Sequence, residues 1–509
     1  MFSAVKTAII SGMKAIGVTV EADVSNGLPC FDMVGDLNSQ VKEAKERVRT
    51  AIKNSGFSLL AKKQVINICP ADIRKEGSTM DLAIAIAVLV GHGLLPQECV
   101  KDYLFAGELG LDGKVNSING AMPIIACAKE MGVTKCIIPK SNEAEGTVID
   151  GVLVYCVQNL KEAFEFLIGN EVLQPIQCKA NELFNQAGKE NCDDFAELNG
   201  QVTLKRACEI AAAGMHNLLM IGPPGSGKTM AARRIPGILP SISLNEAIEI
   251  SSLYSVNGML ASGEGLIAKR PFREVHHTVT KTAMVGGMRR AGEVSLADKG
   301  VLFLDEFPEF DRSVLETLRQ PLESGKVNIS KGYVHHEYPA DFMLVAAMNP
   351  CKCGFYPDLN KCRCTAGEIR RYLSRVSGPL LDRIDICTET SKIQYDDITS
   401  TCLNESSENI RKRVEEAHQI QKERFKSRNY HFNSKMTSTD VKRFCPLDKE
   451  TKEYMEMAFD KLDLSARTYN KTLKVSRTIA DLSGSENVQL LHIKEALFFR
   501  GLDKKYMEV

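Results

Sequence analysis

Gly222–Thr229 (GPPGSGKT) has the spacing G-x-x-x-x-G-K-[ST] of a phosphate-binding loop. Gly222, Gly225 and Gly227 allow a tight turn that aims backbone N–H groups at phosphate oxygens, and Pro223, Pro224 and Ser226 complete the cradle. Lys228 is expected to reach the terminal phosphates, and the Thr229 hydroxyl to ligate magnesium. About seventy residues downstream, Val301–Glu306 (VLFLDE) is an apolar run ending in two adjacent carboxylates. Asp305 would hold the magnesium ion, and Glu306 would orient and deprotonate the attacking water. The two motifs predict ATP binding and hydrolysis with Mg2+ as cofactor.

A second set of residues suits a different metal. Cys351-x-Cys353 and Cys362-x-Cys364 place four thiols within fourteen positions of a chain that has 16 cysteines in 509 residues. Four thiolates on a Gly- and Pro-containing loop suit a tetrahedral structural Zn2+, although C-x-C is less diagnostic than C-x-x-C and reduced, unliganded thiols are the alternative. Lys352, Lys361, Arg363, Arg370 and Arg371 surround the thiols, so zinc could stiffen a basic knob facing DNA.

The elements needed to position these groups are visible in the pattern. Asn217–Ile221 reads as a buried strand before the loop, and a helical pattern starts at Met230, so the loop ends at an anion-favouring helix N-terminus. The length predicts two to four domains, with an overall α/β class. Residues 1–168 alternate strand-like and helical runs as an α+β or α/β domain, and the acidic stretch 169–199, chiefly Gln174–Asn199, reads as a linker. Residues 200–390 form the ATPase core, 391–408 a polar connector, and 409–509 a helical domain. With 64 basic and 64 acidic residues there is no global polyanion signal, so any nucleic-acid contact must be local. The longest apolar run, Leu82–Leu95, is too short for a bilayer, no signal peptide is read, and the cysteines suit a reducing cytoplasmic location.

The order of parts after Glu306 resembles AAA+ ATPases. Phe342–Asn349 reads as a buried strand ending in a polar residue, the place of sensor 1 beside the attacking water. Leu380–Asp385 (LLDRID) resembles the arginine-finger segment of the magnesium-chelatase and replicative-helicase branch, and Ser465–Arg467 resembles sensor 2. On this resemblance Glu306, Asn349, Arg383 and Arg467 are the catalytic residues, with surface salt bridges as the alternative for the two arginines. Ser324–Pro339 reads as a β-hairpin around Lys331-Gly332. In the helicase-like branch such a hairpin enters the ring's pore, where Lys331 would meet a phosphate backbone and Tyr333, His335 and His336 could stack or hydrogen-bond. Ser262–Gly292 reads as a polar, Gly-rich insertion whose Arg273, Arg289 and Arg290 suit a DNA-facing pore loop, together with His276, His277 and Lys281; a metal or structural His pair is the alternative.

Four long strings make the resemblance narrower: Met215–Thr229, PFREVHHT at Pro271–Thr278, GEVSLADKGVLFLDEFPEF at Gly292–Phe310 and VAAMNPCKCG at Val345–Gly354. They resemble the magnesium-chelatase-like AAA+ proteins of the competence-associated ComM/YifB type over essentially the whole chain. That resemblance implies a homo-hexameric, DNA-dependent ATPase acting on single-stranded or branched DNA in recombination. A chelatase-type protein-remodelling subunit is the competing reading. Residues 1–168 also resemble the proteolytic domain of Lon, with Thr79 and Met122 at the positions of its serine and lysine. Met122 cannot accept a hydroxyl proton, and a shifted dyad of Lys75 and Ser78 is disfavoured, so proteolysis is not expected. The basic stretch Arg411–Arg443 reads as a solvated helical face in preference to a DNA site.

Overall fold

The computed structural model describes residues 1–187, 193–261, 263–331, 334–392 and 404–500. The N-terminal region is built on a seven-stranded mixed sheet in the order Cys30–Val34, Lys63–Cys69, Lys14–Ser25, Phe2–Ser11, Tyr103–Phe105, Lys135–Pro139, Leu153–Val157. Phe2–Ser11 lies inside this sheet, antiparallel to Lys14–Ser25 and parallel to Tyr103–Phe105. The apolar run that begins at Leu82 forms the helix Asp81–Gly91, buried along its whole length against the sheet. An apolar-all-round helix is stable only in such a place. The Asp81 carboxylate at its first turn is taken up by Arg47 in two hydrogen bonds of 2.9 and 3.1 Å.

The central region contains a five-stranded, all-parallel sheet in the order Phe272–Val275, Val301–Leu304, Met343–Met348, Leu218–Ile221, Ile386–Glu389. The three inner strands are buried at every position, as expected where helices cover both faces and the sequence shows continuous apolar runs. The phosphate-loop strand and the strand ending at Asp305 are not neighbours. Met343–Met348, which carries Asn349 at its end, lies between them.

The helices Ser407–Arg424, Ser438–Phe444, Lys449–Lys461, Ala466–Leu482 and Leu490–Phe498 make up the C-terminal region. Ile410, Val414, Val475, Ile479 and Phe499 join the core formed by Val202–Gly214 and the parallel sheet, so this region packs onto the ATPase core. Seven cations of the basic stretch 411–443 pair with carboxylates of the described residues: Arg411 with Glu415, Lys412 with Glu408, Arg413 with Glu209 and Glu405, Arg424 with Asp481, Lys426 with Glu423, Arg428 with Asp440, and Lys435 with Asp341.

Two stretches depart from the sequence reading. Gln174–Asn199 is more than a linker: Ala180–Ala187 is a helix packed on Leu244–Val256, and Phe195 and Leu198 are fully buried in the ATPase core. The acidic composition concealed this because Asp194 acts as a cap, accepting from the amides of Ala196 (2.9 Å) and Ser407 (2.7 Å). Nor is the stretch 262–292 simply an insertion, since Phe272–Val275 within it is the edge strand of the parallel sheet. Among the described residues no helix is long and apolar enough to cross a membrane.

Candidate active site

The phosphate-binding loop leaves the buried strand Leu218–Ile221 and enters the helix Lys228–Ile238. Gly225 and Gly227 hold φ of +73° and +87°, the left-handed region open to glycine. Gly222 serves a different purpose. A Cβ there would lie 2.0 Å from Thr390 Oγ1 and 2.5 Å from Thr390 O, so a glycine lets the adjacent strand close on the loop. Thr390 Oγ1 in turn stands 2.7 Å from Ser226 Oγ.

Lys228 is folded over this loop. Its ammonium donates to the carbonyls of Gly222 (2.7 Å) and Pro223 (2.9 Å) and to Asn349 Oδ1 (3.3 Å). Burial pushes its pKa down to about 8, against the pull of Asp305. Thr229 Oγ1 donates to Asp305 Oδ2 at 2.7 Å, which puts the two expected magnesium ligands side by side. The donors, hydroxyl and carboxylate therefore fit a magnesium–triphosphate group at this loop.

Glu306 takes a left-handed backbone (φ +53°) at the end of its strand, and its side chain is 56% exposed. His277 Nδ1 lies 3.1 Å from Glu306 Oε2. The contact follows from strand register: Val275 pairs with Leu304, so residues just past each strand end face one another. His276 lies against His277 with ring centroids 4.1 Å apart and the planes tilted by 33°. The sequence reading placed both histidines on a pore loop or in a metal pair and missed this link to Glu306, because the edge strand Phe272–Val275 that sets the register carries Arg273 and Glu274 and does not stand out.

Arg383 and Arg467 lie elsewhere. Both guanidiniums converge on one oxygen of Glu323, at 2.5 and 2.9 Å. Arg383 precedes the strand Ile386–Glu389, and its carbonyl accepts from Asn217 Nδ2, just before the phosphate-loop strand starts. Lys471, one helical turn beyond Arg467, is bound to Asp385 and to the Ile384 carbonyl. The two arginines thus sit at the N-terminal ends of parallel strands whose C-terminal ends carry Gly222 and Asn349. The structure brings Asn349 to Lys228, but leaves both arginines at the far end of the sheet. Glu323 was not singled out from sequence.

The four cysteines of the second metal reading come together, with ligand atoms all within 4.8 Å of one another. Of the DNA-facing candidates, Arg289 and Arg290 are exposed, and Arg289 stands 3.7 Å from Glu76 of the N-terminal region. Arg273 corrects the expectation: it makes a bidentate pair with Glu293 (2.7 and 3.0 Å) on the edge strand and does not project outward. The hairpin exists as Lys326–Lys331 paired with Val334–Pro339. The Lys331 side chain and Tyr333 lie outside the described residues. His336 packs against Gly12, and His335 Nδ1 lies 2.7 Å from Ser330 Oγ.

The positions of the disfavoured dyad are also separated. Ser78 donates to Glu108, the Lys75 ammonium donates to the Pro70 carbonyl, and the buried Thr79 hydroxyl has no hydrogen-bond partner among the described residues. Met122 is fully buried among Ala247, Ile250 and Leu253 of the ATPase core.

Comparison with known proteins follows the same division of the chain. Residues 20–142 match a model described as subunit ChlI of Mg-chelatase, residues 194–398 match magnesium chelatase, subunit ChlI, and residues 404–500 match the ChlI C-terminal model. The competence protein ComM of Haemophilus influenzae is 41% identical over 495 residues, covering 96% of each chain. YifB of Escherichia coli is 41% identical over 505 residues, covering 99% of this chain and 97% of YifB. A DNA replication licensing factor, mcm6 of Dictyostelium discoideum, is 24% identical over 309 residues, 58% of this chain and 31% of its own. With its phosphate loop, paired carboxylates and near full-length similarity, the chain belongs to the magnesium-chelatase-like AAA+ family of ComM and YifB.

Proposed function

We propose that this protein is a ring-forming, ATP-driven DNA motor that moves branched DNA during recombination of incoming strands. The observation that carries the reading is the placement of Arg383 and Arg467 on Glu323, a full strand length from the phosphate loop of their own chain. A guanidinium stabilises phosphoryl-transfer charge only when it touches the phosphate. These two can do so only in the site of a neighbouring copy, which favours a closed ring, a homo-hexamer by the family resemblance. The names of the relatives, a competence protein and a DNA replication licensing factor, support DNA as the partner.

Within one site, the loop amides and Lys228 would bind and orient the triphosphate, and Thr229 and Asp305 would hold Mg2+. That ion supplies charge neutralisation on the phosphate oxygens. Glu306 takes the proton from the attacking water, and Asn349 holds that water beside Lys228. Glu323 is the penultimate residue of the helix Arg319–Ser324, and Gly325 joins that helix directly to the hairpin strand Lys326–Lys331. Release of the arginines from Glu323 toward a neighbour's phosphate thus has a short path to the hairpin. Lys331, Tyr333, Arg289 and Arg290 are the proposed DNA contacts. The N-terminal region, resembling the Lon proteolytic domain without its dyad, serves as a docking or DNA-binding unit, and the C-terminal helices as the lid. Cys351, Cys353, Cys362 and Cys364 are proposed to hold a structural Zn2+.

ATP turnover measured with no DNA, with single-stranded DNA and with forked DNA tests the motor. Stimulation by DNA, reduced in Lys331→Ala, is expected. Turnover indifferent to DNA but raised by a protein partner would replace the motor with a chelatase-type remodelling role.

A further inference from the structure

The cysteine loop is attached to the ATP site at three points. Asn349 is followed by the buried Pro350 and then Cys351, so the first thiol is two residues from the residue that contacts Lys228. Gly354, with φ of +82°, lies so close to Pro224 of the phosphate loop that a Cβ would come within 2.6 Å of its Cδ. The helix Ala366–Leu373 starts directly after Cys364, with Thr365 as its cap. From it the buried Tyr372 packs in one core with Met348 and Cys351, its hydroxyl facing the backbone N–H of Asn349, and just beyond it Arg375 reaches Glu309 Oε2 at 2.5 Å, in the turn after Glu306. One compact module therefore touches the phosphate loop, Asn349 and the segment carrying Glu306.

Three of the thiols approach the spacing of a tetrahedral site, and Cys364 lies within 4.8 Å of them. Sulfur–sulfur distances are 3.3 Å (Cys351–Cys353), 3.7 Å (Cys351–Cys362) and 3.6 Å (Cys353–Cys362). A tetrahedron with Zn–S of ~2.3 Å requires S···S of about 3.8 Å, and a disulfide needs ~2.05 Å. The Tyr356 N–H donates to Cys351 Sγ at 3.4 Å, and backbone N–H groups of the same loop lie near the other three sulfurs. Such amides offset thiolate charge that would otherwise repel within a cluster this tight. The loop contains few apolar side chains to fix its shape, since Lys352, Phe355, Leu359, Lys361 and Arg363 are exposed or half-exposed. A bound ion is what can make it rigid.

We propose that a zinc ion held by Cys351, Cys353, Cys362 and Cys364 is a positioning element of the ATPase site, fixing Asn349 and Pro224 relative to Lys228 and thereby making ATP hydrolysis depend on metal occupancy. This rests on the zinc reading above and assigns the site to hydrolysis, not to the DNA-facing knob that its basic residues suggest. Removing the ion frees Asn349 by something on the scale of 1 Å, for which a loss of about 100-fold in turnover is the expected size.

The experiment uses the full-length protein. It is stripped with a chelator and titrated with Co2+, whose absorption reports tetrathiolate coordination, and then with Zn2+. Metal content, kcat and KM for ATP, and binding of fluorescent single-stranded DNA are followed together. One equivalent of metal, a drop of about 100-fold in DNA-free kcat on removal with a smaller change in KM, and recovery on zinc addition are expected. Tyr372→Phe, which leaves the thiols intact, should keep its zinc yet lose part of the same kcat. Absence of a tetrathiolate spectrum overturns the zinc reading itself. Bound metal whose removal leaves kcat unchanged overturns only the coupling, as does a loss confined to DNA affinity. A metal-free protein that loses its fold, alongside a Tyr372→Phe variant with wild-type kcat, also overturns it.

Discussion

Mixing two inactive variants tests the assignment of Arg383 to a neighbour's site. Lys228→Ala removes the phosphate-binding ammonium but leaves Arg383, and Arg383→Ala does the reverse. The strand Leu218–Ile221 separates Arg383 from its own phosphate loop, and four residues at ~3.3 Å each amount to about 13 Å, well beyond the ~3 Å of a hydrogen bond. Within one chain Arg383 contributes nothing to the phosphates, so each variant alone should lose turnover by about 10³-fold or more. Arg383→Ala also costs some stability, because this 8%-exposed side chain donates to the carbonyls of Arg319 (3.2 Å) and Pro379. Glu323 is 52% exposed and keeps Arg467, so no buried charge is left unpaired. In rings assembled at random from equal amounts, each interface needs a loop from the Arg383→Ala chain and an arginine from the Lys228→Ala chain. Both choices have even odds, so turnover should recover to about one quarter of wild type. Arg467→Ala mixed with Lys228→Ala should behave alike. The assay is steady-state ATP turnover of the mixtures after co-assembly with DNA. A mixture no more active than its components refutes the trans assignment.

Three further outcomes are expected. His277→Ala should lower kcat roughly five- to tenfold with KM nearly unchanged, the size of a ~1 kcal/mol hydrogen bond that orients Glu306, and His277→Gln should recover part of it; a change in KM alone would place His277 in binding instead. Gly222→Ala drives a methyl into Thr390 and should weaken nucleotide binding by about tenfold or more in a fluorescent-ATP titration; unchanged affinity would mean that the Thr390 segment moves away at little cost. Burial raises the Asp298 carboxyl to about 7 although Lys299 lowers it, with Asp341 and Glu249 raising it further. The folded state therefore favours the protonated acid, and stability is lost as pH rises from about 4 through 7. Asp298→Asn keeps the acceptor for the Asp341 amide (2.6 Å) and should raise the melting temperature at pH 8 but not at pH 4; an equal shift at both would refute the charge argument.

Much of the fold was legible because parallel strands buried on both faces must be apolar throughout. Leu218–Ile221, Val301–Leu304 and Met343–Met348 stand out for that reason. Phe272–Val275 did not, since an edge strand needs apolar residues on fewer sides and this one carries Arg273 and Glu274. The same cause misplaced Arg273, whose partner Glu293 is twenty residues away and identifiable only once the strand is seen.

The sequence alone determined the ATP chemistry. A phosphate loop is made by contiguous residues whose φ angles and amides act locally, and Asp305-Glu306 ends its own strand. Only the tertiary structure decided which distant residues meet around these motifs. His277 meets Glu306 because two strands pair in a given register. Arg383 and Arg467 share Glu323 because a helix from residue 466 onward packs against the start of the parallel sheet. The cysteine loop touches Pro224 because Met343–Met348 and Leu218–Ile221 are neighbours. Each of these contacts joins residues distant in the chain, and their proximity is set by sheet order and packing, which no local spacing encodes.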